Sequence, residues 1–294
     1  MHHPGEISAQ AHAGVRVGAL GSARVGRDIP PVAVEFLGEQ PMAFIGARDA
    51  NGAMWSTMLT GPQGFIRAQD DGGISIASLP GAMDPLAGVF ETAHEVGILV
   101  IDLTTRRRMR INGIASHQDS GLVVHPKQVY ANCPKYIQRR ELISETDGRE
   151  TTVTQGRVLT DAQRALISQT DTFFIATQAD PMGADVSHRG GRPGFVTASG
   201  PDALFWPEYS GNLMYMTLGN LELDPRAGLL FVDWEKGDLL HVTGRARTDW
   251  DQDRAAASSG GQQMVDFDVD GFVHVEGASP LSWSFGGYSK FNPA

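Results

Sequence analysis

Three short stretches of the chain hold residue types that can do chemistry. The first is Ala184-Asp185-Val186-Ser187-His188-Arg189-Gly190-Gly191-Arg192-Pro193-Gly194-Phe195, which joins a hydroxyl, an imidazole and two guanidinium groups to glycines. Guanidinium forks match phosphate geometry, and glycines let backbone N–H groups approach an anion. The stretch suits an anion site; a polar hairpin loop is the plain alternative. The second runs from Trp206-Pro207-Glu208-Tyr209-Ser210-Gly211-Asn212 to Tyr215-Met216-Thr217-Leu218-Gly219-Asn220-Leu221. Asn212, Thr217 and Asn220 can read the donors and acceptors of a flat heterocycle, and Trp206 and Tyr209 can stack on it. A turn with two aromatic core residues is the simpler reading of the same letters. The third is Arg106-Arg107-Arg108-Met109-Arg110-Ile111-Asn112-Gly113. On a strand, Arg108, Arg110 and Asn112 share one face. A charge run of this kind is usually a solvated face. Lys135, in Asn132-Cys133-Pro134-Lys135-Tyr136, is either a lysine at a helix start with its amine in water or a cation aimed at an anionic ligand.

Other chemistries find less support. No GxSxG, HExxH, Walker or GxGxxG signature occurs, and the nine histidines are scattered. The 24 Lys and Arg against 34 Asp and Glu give a net charge of −10, which argues against a nucleic-acid partner. The single cysteine, Cys133, excludes an internal disulfide and a cysteine-rich metal site; we expect no metal. It fits a reducing, cytoplasmic compartment. The N-terminus lacks the pattern of a signal peptide, and no apolar run is long enough to span a membrane as a helix. We expect no membrane partner.

Positioning these residues requires a scaffold, and the chain repeats itself. Phe44-Ile45-Gly46-Ala47 returns as Phe174-Ile175-Ala176-Thr177, 130 residues later. Gly64-Phe65-Ile66 returns as Gly194-Phe195-Val196, and Gly97-Ile98-Leu99-Val100-Ile101-Asp102 as Gly228-Leu229-Leu230-Phe231-Val232-Asp233, the latter 131 residues on. Each unit reads as a short helix, then strands. Asp28 is a candidate cap before Pro30-Pro31; Thr160 with Gln163 forms a capping-box pattern. Strands are expected over 42–47, 97–102 and 107–116, and again over 172–177, 228–233 and 238–248. Asn51-Gly52 marks a hairpin. Pro134 predicts a linking helix capped by Asn132 or Cys133. The 35 glycines and 16 prolines favour a turn-rich β protein, and two such units suggest small β-barrels. We place an N-terminal segment, expected to be loose, at 1–27, unit one with its linking helix at 28–150, and unit two at 151–294. At the positions of Arg108, Arg110 and Asn112, unit two carries Leu239, His241 and Thr243. One half therefore lends cations to a site framed mainly by the other.

Asp224-Pro225-Arg226-Ala227-Gly228-Leu229-Leu230-Phe231 resembles the Asn-Pro-x-Ala-x-Leu-Leu-Phe strand entry of the pyridoxamine 5′-phosphate oxidase-like family, the FMN-binding split barrels. Arg107-Arg108-Met109-Arg110-Ile111-Asn112-Gly113 is similar to that family's Arg-Gln-Val-Arg-x-x-Gly strand. With the 187–195 loop and the Thr217–Leu221 turn, the resemblance spans about 28 to 285. It implies a mainly β chain with short helices: two tandem, six-stranded split β-barrel units forming an intramolecular pseudo-dimer. It implies an FMN-dependent oxidoreductase fed by an electron donor such as NAD(P)H, acting on a small-molecule substrate and able to form a homodimer. Deazaflavin, haem and a non-catalytic flavin carrier are the alternatives. The resemblance puts Ser187, His188 and Arg189 on the strand facing the cofactor and Arg108 at the position that touches it from the other half. Asn212, Thr217, Asn220 and Lys135 complete the expected set. The family's phosphate-binding Arg and Lys fall on Met216 and Thr217. The phosphate must then be held by Arg108, Lys135, Arg189 or Arg192, or the cofactor differs. The matching stretch of unit one, 76–86, also lacks these charges, which leaves one expected site per chain.

Overall fold

A computed structural model of the chain describes residues 3–15, 25–131, 133–145 and 150–293. Helix α1 (Pro4–His12) and helix α2 (Pro31–Glu39) precede the first sheet. That sheet holds β1 (Met42–Arg48), β2 (Met54–Thr60), β3 (Ile66–Ala68), β4 (Ile74–Ile76), β5 (His94–Asp102), β6 (Arg107–Gln118) and β7 (Gly121–Ala131). Then come β8 (Arg139–Glu145), β9 (Thr152–Gly156) and helix α3 (Asp161–Gln169). The second sheet holds β10 (Thr172–Ala179), β11 (Gly183–Gly190), β12 (Thr197–Ala198) and β13 (Ala203–Tyr209). Helix α4 (Met216–Leu223) leads to β14 (Arg226–Val232) and β15 (Leu239–Asp249), and helix α5 (Gln252–Ala256) to β16 (Gly261–Glu276) and β17 (Leu281–Gly287).

The two sheets are built alike. Their strand orders are β2-β1-β5-β6-β7-β4-β3 and β11-β10-β14-β15-β16-β13-β12, antiparallel throughout. One bulge also coincides: the register slips at Asn112/Gly113 in one unit and at Thr243/Gly244 in the other. Each unit is a split β-barrel around its own apolar core, the first including Ile45, Ile98 and Ile111, the second Phe173, Leu229 and Val242. The main path has seven strands rather than the expected six, because the short β3 and β12 extend it.

A third core joins the units. Phe44, Met54, Leu99, Phe174, Val186 and Leu230 belong to it, and the repeat-related Phe44 and Phe174 stack face to face at the junction. Two glycines permit this approach. A Cβ on Gly97 would lie 2.5 Å from Asp185 Cα, and one on its repeat mate Gly228 would lie 2.5 Å from Trp55 Cα. Backbone opposes backbone at both contacts, so nothing flexible can yield. Gly97→Ala is expected to cost about 1–3 kcal/mol in urea unfolding. Gly38→Ala, on α2 with open space around it, is expected to be neutral or slightly stabilising.

Local expectations fare unevenly. Thr160 does cap α3, its hydroxyl accepting from Gln163 N while the Gln163 side chain accepts from Thr160 N. Asp28 does not cap α2. The helix starts at Pro31 with Pro30 as its cap, two residues too late for Asp28 to reach. The linking helix at Pro134 is absent. Tyr136 takes φ 65°, which breaks a right-handed helix, and its carbonyl accepts from the Gln138 side chain instead. The chain then extends into β8, which pairs with β17. Asn132, one proposed cap, and residues 146–149, just before the expected unit boundary, lie outside the described residues. The Thr217–Leu221 turn is part of α4, a helix. The N-terminal segment is also more than a loose tail: α1 is capped by His3 and crosses α4 where Gly5 meets Gly219 backbone to backbone. No helix of the described residues is long and apolar enough to cross a membrane.

Candidate functional site

The alternation of β11 sorts its side chains. Ala184 and Val186 join the core between the units. Asp185, Ser187 and Arg189 point the other way, and the long side chains of β6 reach across from unit one to meet them. Arg110 Nη1 donates to Asp185 Oδ2 at 2.9 Å, and its Nη2 donates to Ser187 Oγ. Tyr130 Oη donates to Asp185 Oδ1 at 2.7 Å, and Asn112 Nδ2 donates to the same oxygen at 3.0 Å. Asp185 is buried and so receives three donors from the other unit. Burial works against the charge on Arg110, but Asp185 and Tyr130 outweigh it and hold the guanidinium above its ordinary range. Burial, reinforced by Asp185, pushes the Tyr130 phenol up.

Arg189 is also spoken for. Its Nε donates to Glu208 Oε1 at 2.5 Å and its Nη1 donates to Ser187 Oγ. Ser187 thus accepts from two guanidinium groups, and neither bond uses its own proton. Arg108 differs. Its one hydrogen bond among the described residues is Nη1 to His188 Nδ1 at 3.2 Å. Burial, with Arg110 and Arg189 nearby, pushes Arg108 down to about 9, still charged at neutral pH. Because a guanidinium only donates, His188 Nδ1 must accept, and the ring proton sits on Nε2. Burial and the surrounding arginines keep His188 neutral, well below its ordinary range.

Arg110 and Glu208 line one cleft of about 270 Å³ between the units, which Asp185, Asn112 and Tyr130 do not border. Arg108, Lys135, Ser187, His188, Arg189, Asn212 and Thr217 all border it. Asn220 does not: it is buried, and its Nδ2 donates to Thr177 Oγ1 at 3.0 Å, tying α4 to β10. Arg192 is likewise absent from the cleft and lines a neighbouring cavity. Trp206 is fully buried against Phe173, a core residue, whereas Tyr209 borders the cleft. Lys135 Nζ reaches Ser210 O at 3.4 Å and lies 5.8 Å from the Phe291 ring. Ala13 and Val15 border the cleft as well, and Gln10 Nε2 donates to Leu213 O at 3.0 Å. The N-terminal segment thus forms part of the wall. Sequence reading missed Glu208 in the cleft wall, and Asp185 and Tyr130, which hold Arg110 in that wall. The period of two along β11 could have found Asp185, since it shares a face with Ser187 and Arg189.

Charge is what sets the cleft apart. Arg110 is matched by Asp185 and Arg189 by Glu208. Arg108 and Lys135 have no carboxylate partner among the described residues. An acidic protein thus keeps two surplus cations in one recess. The repeat-related place across the junction is different. Trp55, Thr57 and Leu59 stand where β11 has Asp185, Ser187 and Arg189. Trp55 and Leu59 pack into the core of unit one, and the buried His241 donates from Nδ1 to Ser56 O at 2.9 Å. Among the described residues no three His, Cys, Asp or Glu side chains gather as a metal site would.

Two of the buried histidines, His188 and His241, make the fold acid-sensitive. Burial depresses both His188 and His241. Below their ordinary pKa the unfolded chain takes up protons that the folded chain refuses. Stability therefore falls as pH drops from about 6.5 and is flat above it, with a slope of up to about 1.4 kcal/mol per pH unit for each ring. Urea midpoints between about pH 7 and pH 5 should show this loss, and His188→Gln should reduce it.

No protein-family model and no curated protein matches the chain. Solved structures do. One is an FAD-binding protein from Mesorhizobium loti, 11% identical, with a TM-score of 0.30, covering 42% of this chain and 97% of its own. Another, from Clostridium acetobutylicum, is described as related to general stress protein 26, of the pyridoxinephosphate oxidase family. It is 12% identical, with a TM-score of 0.31, covering 41% and 89%. A third is a NimC/NimA family protein from the same organism, 13% identical, with a TM-score of 0.31, covering 43% and 95%.

Proposed function

We propose that the protein is a flavoprotein that holds FMN in the cleft between its units and uses it as an oxidoreductase. The observation that carries this reading is the surplus charge. A phosphate monoester brings about −1.5 to −2 charges near neutral pH, and Arg108 with Lys135 supplies two unmatched positive ones. The residues fit in other respects. The volume lies just below the range for ligand sites, roughly 300–1,000 Å³, so part of the ligand reaches the mouth. Ser187 has a free proton, Asn212 and Thr217 add polar groups, and Tyr209 gives an aromatic wall.

Bound FMN would supply hydride and electron transfer. The chain's own residues hold and tune. Arg108 and Lys135 anchor the phosphate in place of the family's Arg and Lys, whose positions hold Met216 and Thr217. Ser187, kept in place by two guanidinium groups, presents its hydroxyl to a ring acceptor. The charges of Arg110 and Arg189 favour an electron-rich ring. The 4–15 segment and α4 exclude water from one side. NAD(P)H is the proposed donor, a small molecule the proposed acceptor, the cytoplasm the proposed compartment and a homodimer the proposed assembly.

Haem suits the site less well. Arg108 occupies the lone pair of His188 Nδ1, so Nε2 carries a proton and has no lone pair for iron. A deazaflavin shares the phosphate and remains an arm of the test. The experiment is an absorbance titration of the purified protein with FMN, a deazaflavin and hemin, followed by NAD(P)H oxidation with oxygen or a dye. Stoichiometric FMN binding supports the reading, and turnover separates an enzyme from a carrier. Hemin or deazaflavin binding without FMN binding overturns it.

A further inference from the structure

A second cavity of about 220 Å³ lies beside the cleft and shares Phe195, Pro207 and Tyr209 with it. Its contents are unusual for a protein surface. Phe195, Phe205 and Tyr209 are all partly exposed, and all three line it. Aromatic rings left wet in one concavity mark a recognition surface more often than scattered apolar residues do. The walls are held rigidly. Phe195 stacks on Phe173 with ring centroids 5.8 Å apart. The Arg254 guanidinium lies 5.8 Å from the Phe205 ring and is fixed by Asp249 and Asp266.

Arg192 supplies the charge. It lines the same cavity, its Nε donates to Pro293 O at 3.4 Å, and its guanidinium lies 5.0 Å from the Tyr288 ring. It has no carboxylate partner among the described residues. Arg254 has two, so Arg192 alone offers unmatched charge here. A cation beside aromatic walls is complementary to a flat ring bearing one anionic group.

We propose that this cavity binds a planar aromatic carboxylate, with the ring against Phe205 and Tyr209 and the carboxylate on Arg192. The site adjoins the cleft, has its own cation, and does not depend on the flavin reading. The shared wall of Phe195, Pro207 and Tyr209 places its occupant next to whatever fills the cleft, where a second small molecule would have to sit.

The test is a calorimetric titration of the full chain with 2-naphthoate, and with 2-naphthamide as the neutral match. Saturable one-to-one binding of naphthoate is expected, at least tenfold weaker for the amide. Arg192→Gln should lose at least tenfold, and Ser259→Trp, which fills the cavity, should abolish binding. Arg108→Gln should bind naphthoate as before, and Arg192→Gln should bind FMN as before. The amide comparison needs no variant and so survives any folding defect. No saturable binding to the unmodified protein overturns the proposal. So does equal binding of acid and amide, or a loss in Arg108→Gln without one in Arg192→Gln, which would place the ligand in the cleft. FMN binding with no naphthoate binding would sink this inference and leave the flavin reading standing.

Discussion

Arg108→Ala is expected to make the protein more stable while it binds FMN less well. Most substitutions of partly buried residues do only harm, so the two opposite signs are informative. Arg108 is a desolvated cation beside two others, Arg110 and Arg189, and its one hydrogen-bond partner is a neutral imidazole. Removing it relieves repulsion and a desolvation cost that no carboxylate among the described residues offsets. A hydrogen bond to a charged group contributes about 1.5–3 kcal/mol, so FMN affinity should fall by roughly tenfold to a hundredfold. The gain in thermal midpoint on adding FMN should shrink in step. Arg108→Lys keeps the charge without the fork and should fall between. If Arg108→Ala destabilised the ligand-free protein and left FMN affinity alone, Arg108 would be a strut between the units and the charge argument would fail.

The second large effect is at Asp185. Its carboxylate gathers Arg110, Asn112 and Tyr130 from unit one onto β11 of unit two. Asp185→Leu would strand the Arg110 guanidinium without a counter-charge. Breaking one side of a buried ion pair costs about 3–5 kcal/mol, out of a total stability of about 5–15 kcal/mol for a folded domain. Urea unfolding should show a loss of that size. The double variant Asp185→Leu with Arg110→Met removes both charges and should recover much of it, because the desolvation of both ions disappears together. If the double variant were as unstable as the single one, the network would act through shape, not charge.

The scaffold was legible where the chain repeats local chemistry. The apolar runs of β5 and β14 stand out because both faces are buried, and Gly97 and Gly228 repeat because both junctions need bare backbone. The basic face of β6 was legible from a period of two. What could not be read depends on contacts far along the chain. Asp185 looks like any strand carboxylate until Arg110 arrives from 75 residues away. Helix α1 has an unremarkable sequence, and contacts more than 200 residues away, the Gly5–Gly219 crossing and Gln10 on Leu213, explain its place. The helix expected at Pro134 failed because Gln138 binds carbonyls of Tyr136, Asp171 and Gly191, a bridge between units that no local propensity encodes.

The two junctions, one polar around Arg110 and Asp185 and one closed around Trp55 and His241, carry a historical implication. In an assembly of two identical chains, every inherited change appears at both junctions at once. An arginine gained for a ligand would be gained twice, and a tryptophan added as filler would block both. Joining the halves in one chain removes that coupling. One junction is then free to close as a permanent weld while the other carries polar groups. Selection can now sharpen the open one without loosening the bond that holds the halves together.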